Sequence, residues 1–389
     1  MMHKLPSIIL KYLLLFGFLL IFENCSSPQQ TETEEDQIDH EFYSEGDFAS
    51  VKKYDVHVHL RKDFDTLFLE QAELDHFGLL NVSVFSFAGT PTEEQEDFSV
   101  QLLKNFPGRI AFATAFSLDD FNEKEWEKAT LAYLGKSFSK GAIAVKVWKN
   151  IGMELKDKEG TLVMIDDPRF DPILDFMAEK NITLIGHLGE PKNTWLPLEE
   201  MTVQGDRDYF GENPQYHMYN LPEYPTYDEQ IEARDKMLAK HPNLRFVGAH
   251  LGSLEWDVDE LAKRLDQFPN MAVDMDERLY HLQHQAVTDW QKVHDFLIKY
   301  QNRLLYGTDL RTGASDIQAK GLTDPEDIKA HAHEVWLRHW NFFTSDDRME
   351  VPKVKGEFQG MKLPKEVVDK IYRKNAEKWF PALTDYIKE

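Results

Sequence analysis

The sequence holds a single cysteine, Cys25, in 389 residues. No internal disulfide can form, so the fold does not depend on an oxidising compartment. Basic residues are also scarce. Against 68 Asp and Glu there are 44 Lys and Arg, a formal net charge of −24. Nucleic acids and anionic membrane surfaces both ask for a basic face, and this balance argues against either as a partner. No glycine-rich phosphate loop follows the first apolar run of the main region, which weighs against an open, doubly wound nucleotide-binding sheet. No low-complexity tract interrupts residues 51–389. Long apolar runs are absent too: the stretch Tyr12–Phe22 is too short for a comfortable membrane span.

That stretch follows Lys4 and Lys11, and residues 1–25 read as a secretory signal. Cys25 stands where such a signal ends. The arrangement resembles a bacterial lipoprotein signal. The resemblance implies lipidation of Cys25 and a chain exported to the cell envelope, held there by its lipid on the periplasmic or outer-membrane face. An ordinary signal and an uncleaved N-terminal anchor are the alternatives. Residues 26–50, "SSPQQTETEEDQIDHEFYSEGDFAS", are acidic and poor in aliphatics, as expected of a flexible tether.

From residue 51 the pattern changes. Short apolar runs alternate with helical stretches: "YDVHVHL" (54–60), "NVSVFSF" (81–87), "RIAFATAF" (109–116), "GAIAVKVW" (141–148), "ITLIGHL" (182–188), "LRFVGAHL" (244–251), "MAVDMD" (271–276) and "RLLYGTD" (303–309). They are rich in β-branched residues and bounded by Gly, Pro or Asn, as buried parallel strands are. Between His57 and Asp309 they recur about every 36 residues, room for one strand and one crossover helix. Eight such units predict an α/β fold, a (β/α)8 TIM barrel, over 51–389.

In that barrel, functional groups sit at the C-terminal ends of strands. The first run places Asp55, His57 and His59 on one face by period-two alternation. The fourth carries Lys146, the fifth ends in His187, the sixth in His250 and the eighth in Asp309. A lone strand-end His is usually a hydrogen-bonded core residue, and a lone strand-end Asp usually caps the next helix. Three His and one Asp converging on one mouth, with His250 beside them, are better explained as ligands of zinc or another divalent metal. The chain supplies its own control. His331 and His333 in "AHAHEVW" repeat the His-x-His spacing, but in a helical setting, where i and i+2 do not face each other. "HLQH" (281–284) is similarly weak.

The set "VHVHL", "GHLGEP", "GAHLG", "YGTD" and "IYRKNAEKWF" resembles the amidohydrolase superfamily, specifically its amidohydrolase-2 branch, over about residues 54–381. The resemblance implies that His57, His59, His187 and Asp309 bind one catalytic metal, most simply zinc. Asp309 would exchange a proton with water and leaving group, and His250 would orient or protonate the substrate's developing oxyanion. In binuclear relatives a strand-4 lysine is carboxylated and bridges two metals, so Lys146 is the candidate bridge to a second ion. Its alternative is an unmodified lysine paired with an acidic group or holding a substrate carboxylate. Family members are often dimers, which makes a homodimer the candidate assembly.

The interval from His187 to His250 is roughly 63 residues, well above the average repeat. The surplus predicts a long loop after the fifth strand, on the metal side. Its Trp195, Tyr209, Phe210, Tyr216 and Tyr219 either wall a substrate or fasten the loop to the rim. Arg278 is a candidate clamp for a carboxylate or carbonyl, or a partner of Asp274 or Asp276. Glu190 is a candidate to bond a ligand His, and Lys149 reads as surface or loop. The expected activity is metal-dependent hydrolysis of an amide, lactone or ester bond in a small molecule. A non-oxidative decarboxylase of an aromatic or unsaturated acid is the alternative, and a non-catalytic binding protein on a degenerate barrel is a third.

Overall fold

The computed structural model describes residues 41–388, apart from 63 and 86–90. Eight apolar segments form successive parallel strands: β1 (Lys53–His59), β2 (Phe77–Asn81), β3 (Ile110–Thr114), β4 (Ala142–Val147), β5 (Thr183–Gly186), β6 (Arg245–Gly248), β7 (Met271–Asp274) and β8 (Leu304–Leu305). A ninth, β9 (Leu310–Arg311), pairs with β1. Between β8 and β9 the ladder continues, because Val56 N donates to Tyr306 O at 3.0 Å and Asp309 N to His57 O at 2.8 Å. Residues 304–311 therefore form one bent eighth strand. Its first half binds β7, its second half binds β1, and the sheet closes without an open edge. Gly307 lies at the bend: a Cβ there would meet His57 Cβ at 3.0 Å and Asp276 Cβ at 3.4 Å.

One main helix follows each strand: Asp65–Leu74, Thr92–Asn105, Trp126–Ser139, Asp171–Glu179, Tyr227–Lys240, Val258–Gln267, Trp290–Lys299 and Pro325–Thr344. This is the (β/α)8 barrel the sequence predicts. Val56, Ala111, Ala113, Ala144, Ile185, Val247, Ala272 and Leu305 share one buried cluster with Trp379 and Phe380 of the C-terminal segment. That segment plugs the end opposite the site. Asn375 Nδ2 donates to Leu304 O at 2.7 Å, and Tyr306 N donates to Ile371 O at 3.0 Å. Leu79, Val145, Leu184, Phe246, Met271 and Val273 belong to the larger core outside the ring, packed under the helices.

Three sequence expectations need correction. The second strand is Phe77–Asn81, not 81–87. The preceding helix ends without Gly or Pro, its stop supplied by His76 in the left-handed region (φ 59°). Asn81 marks the strand's end, with Oδ1 accepting from Leu60 N at 3.0 Å. In β1, Asp55 does not share a face with His57. Pairing with β2 steps from Asp55↔Leu79 to Val58↔Asn81, one extra residue on β1. That bulge turns Asp55 outward, where it accepts from Thr308 Oγ1 at 2.6 Å and Trp336 Nε1 at 2.9 Å. Third, residues 41–50 are not tether: Tyr43 OH donates to Asp369 Oδ1 at 2.9 Å, Lys365 N donates to Glu41 O, and Phe48 is buried. Aromatic residues in that acidic stretch supply the apolar contact. Residues 1–40, with the expected signal and Cys25, lie outside the described residues.

Candidate metal centre

The bulge in β1 lets His57 and His59 both face the barrel mouth, ring centroids 5.3 Å apart. Asp309 comes to them from the bend of the eighth strand. Its Oδ1 lies 2.9 Å from His59 Nε2 and 4.0 Å from His57 Nε2. These three buried groups offer ligand atoms close enough together to hold one ion. They also fit one chemically. Among the described residues, Asp309 Oδ1 makes no hydrogen bond of proper geometry despite its burial, and imidazole with carboxylate suits zinc and similar ions. Burial pushes the His57 imidazole down to about 4 and that of His59 to about 3, so both are neutral at pH 7, as a ligand must be. Burial alone would raise the Asp309 carboxyl, but Arg311 and then His59 hold it well below the usual range.

Behind the trio stand two carboxylates from β7 and the residues just after it. His57 Nδ1 lies 3.0 Å from Asp274 Oδ2 and 2.6 Å from Asp276 Oδ2. His250 Nδ1 lies 3.2 Å from Asp276 Oδ1. Asp276 thus meets the rear nitrogen of both rings. His57, His250 and Asp276 also gather as a possible ligand set, while the hydrogen bond at His57 Nδ1 goes to Asp274 Oδ2 at 3.0 Å and orients the ring. His187 is not in the trio. Its Nδ1 lies 3.1 Å from His250 Nε2, with ring centroids 4.2 Å apart. Lys146 Nζ reaches His57 Nε2 at 2.8 Å, and burial lowers its pKa.

His250 is presented by an unusual backbone. His250, Leu251, Gly252 and Ser253 all have positive φ, 57°, 56°, 64° and 56°. A left-handed turn costs L-residues about 1–2 kcal/mol each. The side chains around it hold it in place: His250 N donates to Asp274 Oδ1 at 2.9 Å and Asp276 Oδ1 at 2.6 Å, and Ser253 Oγ to Leu188 O at 3.1 Å. Asp309 (φ 58°) and Glu277 (φ 47°) share the strained region. Such backbone clusters where surrounding structure over-determines it, commonly at functional sites.

The sequence profile of the amidohydrolase family matches residues 54–382. The chain belongs to that family. No curated protein matches it. Among solved structures, this amidohydrolase is similar to an uncharacterised TIM-barrel protein from Bordetella bronchiseptica, at 16% identity over 86% of this chain and 99% of the other, TM-score 0.47. It is similar to 4-oxalomesaconate hydratase from Rhodopseudomonas palustris, at 13% identity over 79% and 77%, TM-score 0.43. It is also similar to the apo form of IDCase from Metarhizium anisopliae, at 16% identity over 70% and 77%, TM-score 0.38. These likenesses are too remote to decide the chemistry of this amidohydrolase.

The long segment after β5 is folded, with a helix at Gln204–Glu212 and four short 3-10 turns. Asp206 ties it down: Oδ1 accepts from Tyr280 OH at 2.6 Å, Oδ2 from Asn193 Nδ2 at 2.7 Å, and His281 Nε2 lies 3.1 Å from Oδ2. The "HLQH" stretch therefore anchors the insertion. Arg278 keeps this company too. It bonds Glu277 O at 3.0 Å and Tyr280 OH at 3.4 Å, and feels the charges of Asp206 and Glu255 rather than pairing with Asp274 or Asp276. Phe210 is buried, and Trp195 packs on Tyr227 and bonds Pro225 O. Tyr219 is exposed, stacked on His217. Tyr209 and Tyr216 are half-exposed, stacked 6.4 Å apart. Glu190 bonds Lys149, not a ligand His. His333 pairs with Asp75, 2.9 Å away, on the helix Pro325–Thr344. Sequence reasoning treated Asp274 and Asp276 only as partners for Arg278, although "DMD" at a strand end repeats the spacing of "HVH". It missed Arg311, whose Nη2 donates to Asp309 Oδ2 at 2.7 Å.

Proposed function

We propose that this amidohydrolase is a metal-dependent hydrolase acting on an amide, lactone or ester bond of a small molecule. One divalent ion, most simply zinc, would be held by His57, His59, His187 and Asp309. The reading rests above all on Asp309 Oδ1, a buried carboxylate oxygen without a hydrogen bond among the described residues, facing His57 and His59. His187 uses Nδ1 toward His250 and keeps Nε2 as its ligand atom. An ion held there supplies Lewis acidity, acidifying water and polarising a carbonyl oxygen.

The chain's own groups do the rest. Asp309 accepts the attacking water's proton on Oδ2, the oxygen that Arg311 holds, and returns it to the leaving nitrogen or oxygen. His250, whose Nδ1 lies 3.2 Å from Asp276 Oδ1, would orient the oxyanion that develops, donating to it from Nε2 once that nitrogen is protonated and turned from His187 Nδ1. Lys146 touches a ligand ring and becomes a bridge only if carboxylated, with a second ion. Arg311 beside Asp309 favours a second reading, a decarboxylating lyase, because a cation there would seat a carboxylate over the same floor.

His57→Ala with His59→Ala should abolish bound metal and turnover together. His250→Ala should keep the metal and lose most turnover, about 100-fold or more for a lost proton donor. His331→Ala should do neither. Metal counted by atomic spectroscopy beside rates on an ester, lactone and amide panel checks this. A metal-free His250→Ala protein would sink the division between ligand and proton donor, and CO2 release without water uptake would favour the lyase.

A further inference from the structure

We infer that the site takes a small planar carboxylate, with Arg311 as the residue that reads its charge and Lys149 in support. The inference rests on the metal-dependent reading above, since it puts the reacting bond over the trio of His57, His59 and Asp309.

Arg311 is the cation best placed to do this. It reaches the floor of the site at Asp309 Oδ2, yet its side chain is 49% exposed. That one bond is its only side-chain hydrogen bond among the described residues, which leaves the remaining N–H donors of a planar fork free. A guanidinium fork matches a carboxylate two bonds at a time. Lys149 bonds Glu190 and lies 5.4 Å from the Trp148 ring and 5.8 Å from the Tyr216 ring. The Tyr209 hydroxyl feels the charges of both Lys149 and Arg311.

Flat groups pack against the histidines. Phe85 lies 5.0 Å from the His59 ring and 6.0 Å from Trp148, and Trp148 lies 6.5 Å from His187. Tyr209 and Tyr216 stack on each other beside Lys149. Arg61 adds a third cation, 5.9 Å from Phe85. An acidic protein of net charge −24 repels anions at long range. A cation left half-exposed beside the metal floor is the local exception an anionic substrate would need. The duller account, in which Arg311 only neutralises Asp309, predicts no preference for a second negative charge on a ligand.

The full-length chain, purified in detergent and loaded with zinc, separates these accounts by titration calorimetry. The probes are phthalate, isophthalate and terephthalate, each against its mono-amide. Every probe keeps one carboxylate for the metal, so the difference reports the second, and three isomers span its spacing. At least one dianion should bind about tenfold tighter than its amide, and Arg311→Met should bring that ratio to within about twofold. Lys149→Met should shrink it less. No preference for any dianion, or a preference that survives in Arg311→Met, overturns the inference. If Arg311→Met fails to fold, Arg311→Lys carries the test, because it keeps the charge and loses the fork: the ratio should fall at least threefold, and an unchanged ratio overturns the inference. Zinc counted in the same samples keeps the two readings apart. One ion with no charge preference sinks this inference alone, and a preference without zinc sinks only the metal.

Discussion

His57 has a task for each ring nitrogen. Nδ1 meets two carboxylates, Asp274 as its hydrogen-bond partner at 3.0 Å and Asp276 at 2.6 Å, while Nε2 faces Lys146 and Asp309. Asp276 Oδ1 also lies 3.2 Å from His250 Nδ1, so one buried carboxylate touches both rings. Burial would raise such a carboxyl, but His250 and then His57 hold it well below its ordinary value. Asp276→Asn removes the charge and keeps the shape. Metal affinity should fall about 10- to 100-fold, as expected when the group behind a ligand histidine is lost. Competition against a chromophoric chelator measures it, and a change under about threefold would mean that Asp276 does not orient His57.

At the scale of elements, the insertion after β5 is a fixed wall rather than a free lid, because Asp206 collects Tyr280, Asn193 and His281 in a buried cluster. Asp206→Asn should cost about 1–3 kcal/mol, the usual price of an unsatisfied buried partner. It should also open chymotrypsin cuts around Tyr209–Tyr219 while bound metal stays constant. An unchanged digestion pattern would contradict the anchor. The elements themselves were largely legible in the sequence: β-branched runs spaced by crossover helices marked the barrel strands, the second one excepted, and the strand-end histidines stood out because imidazole is a poor filler for such runs. What stayed hidden was local. Period-two reading assumes an unbroken ladder, so the bulge that turns Asp55 out to Trp336 left no trace. The helix before β2 ends at a left-handed His76 rather than a glycine, so the strand was read too late. Asp274 and Asp276 were visible as residues, but their role depends on which rings they meet across the barrel, and Arg311 is an ordinary exposed arginine until the chain bends at Asp309.

The whole molecule joins a strongly acidic exterior to a buried floor of His and Asp at one end of a closed barrel. No helix among the described residues is long and apolar enough to cross a membrane, and we propose that the chain is held at the cell envelope through lipid on Cys25. The full chain should then fractionate with membranes, and Cys25→Ser should move it to the soluble fraction with its metal intact. If Cys25→Ser stays with the membranes, the lipid is not the anchor. The central claim, that His57, His59, His187 and Asp309 form a metal site, is tested most directly by counting metal per chain in protein purified without chelator. One zinc or similar ion is the predicted result. Two would make Lys146 a bridging carbamate. None, even after zinc and manganese are offered, would contradict the account, because the buried imidazoles of β1 would then be no ligands at all.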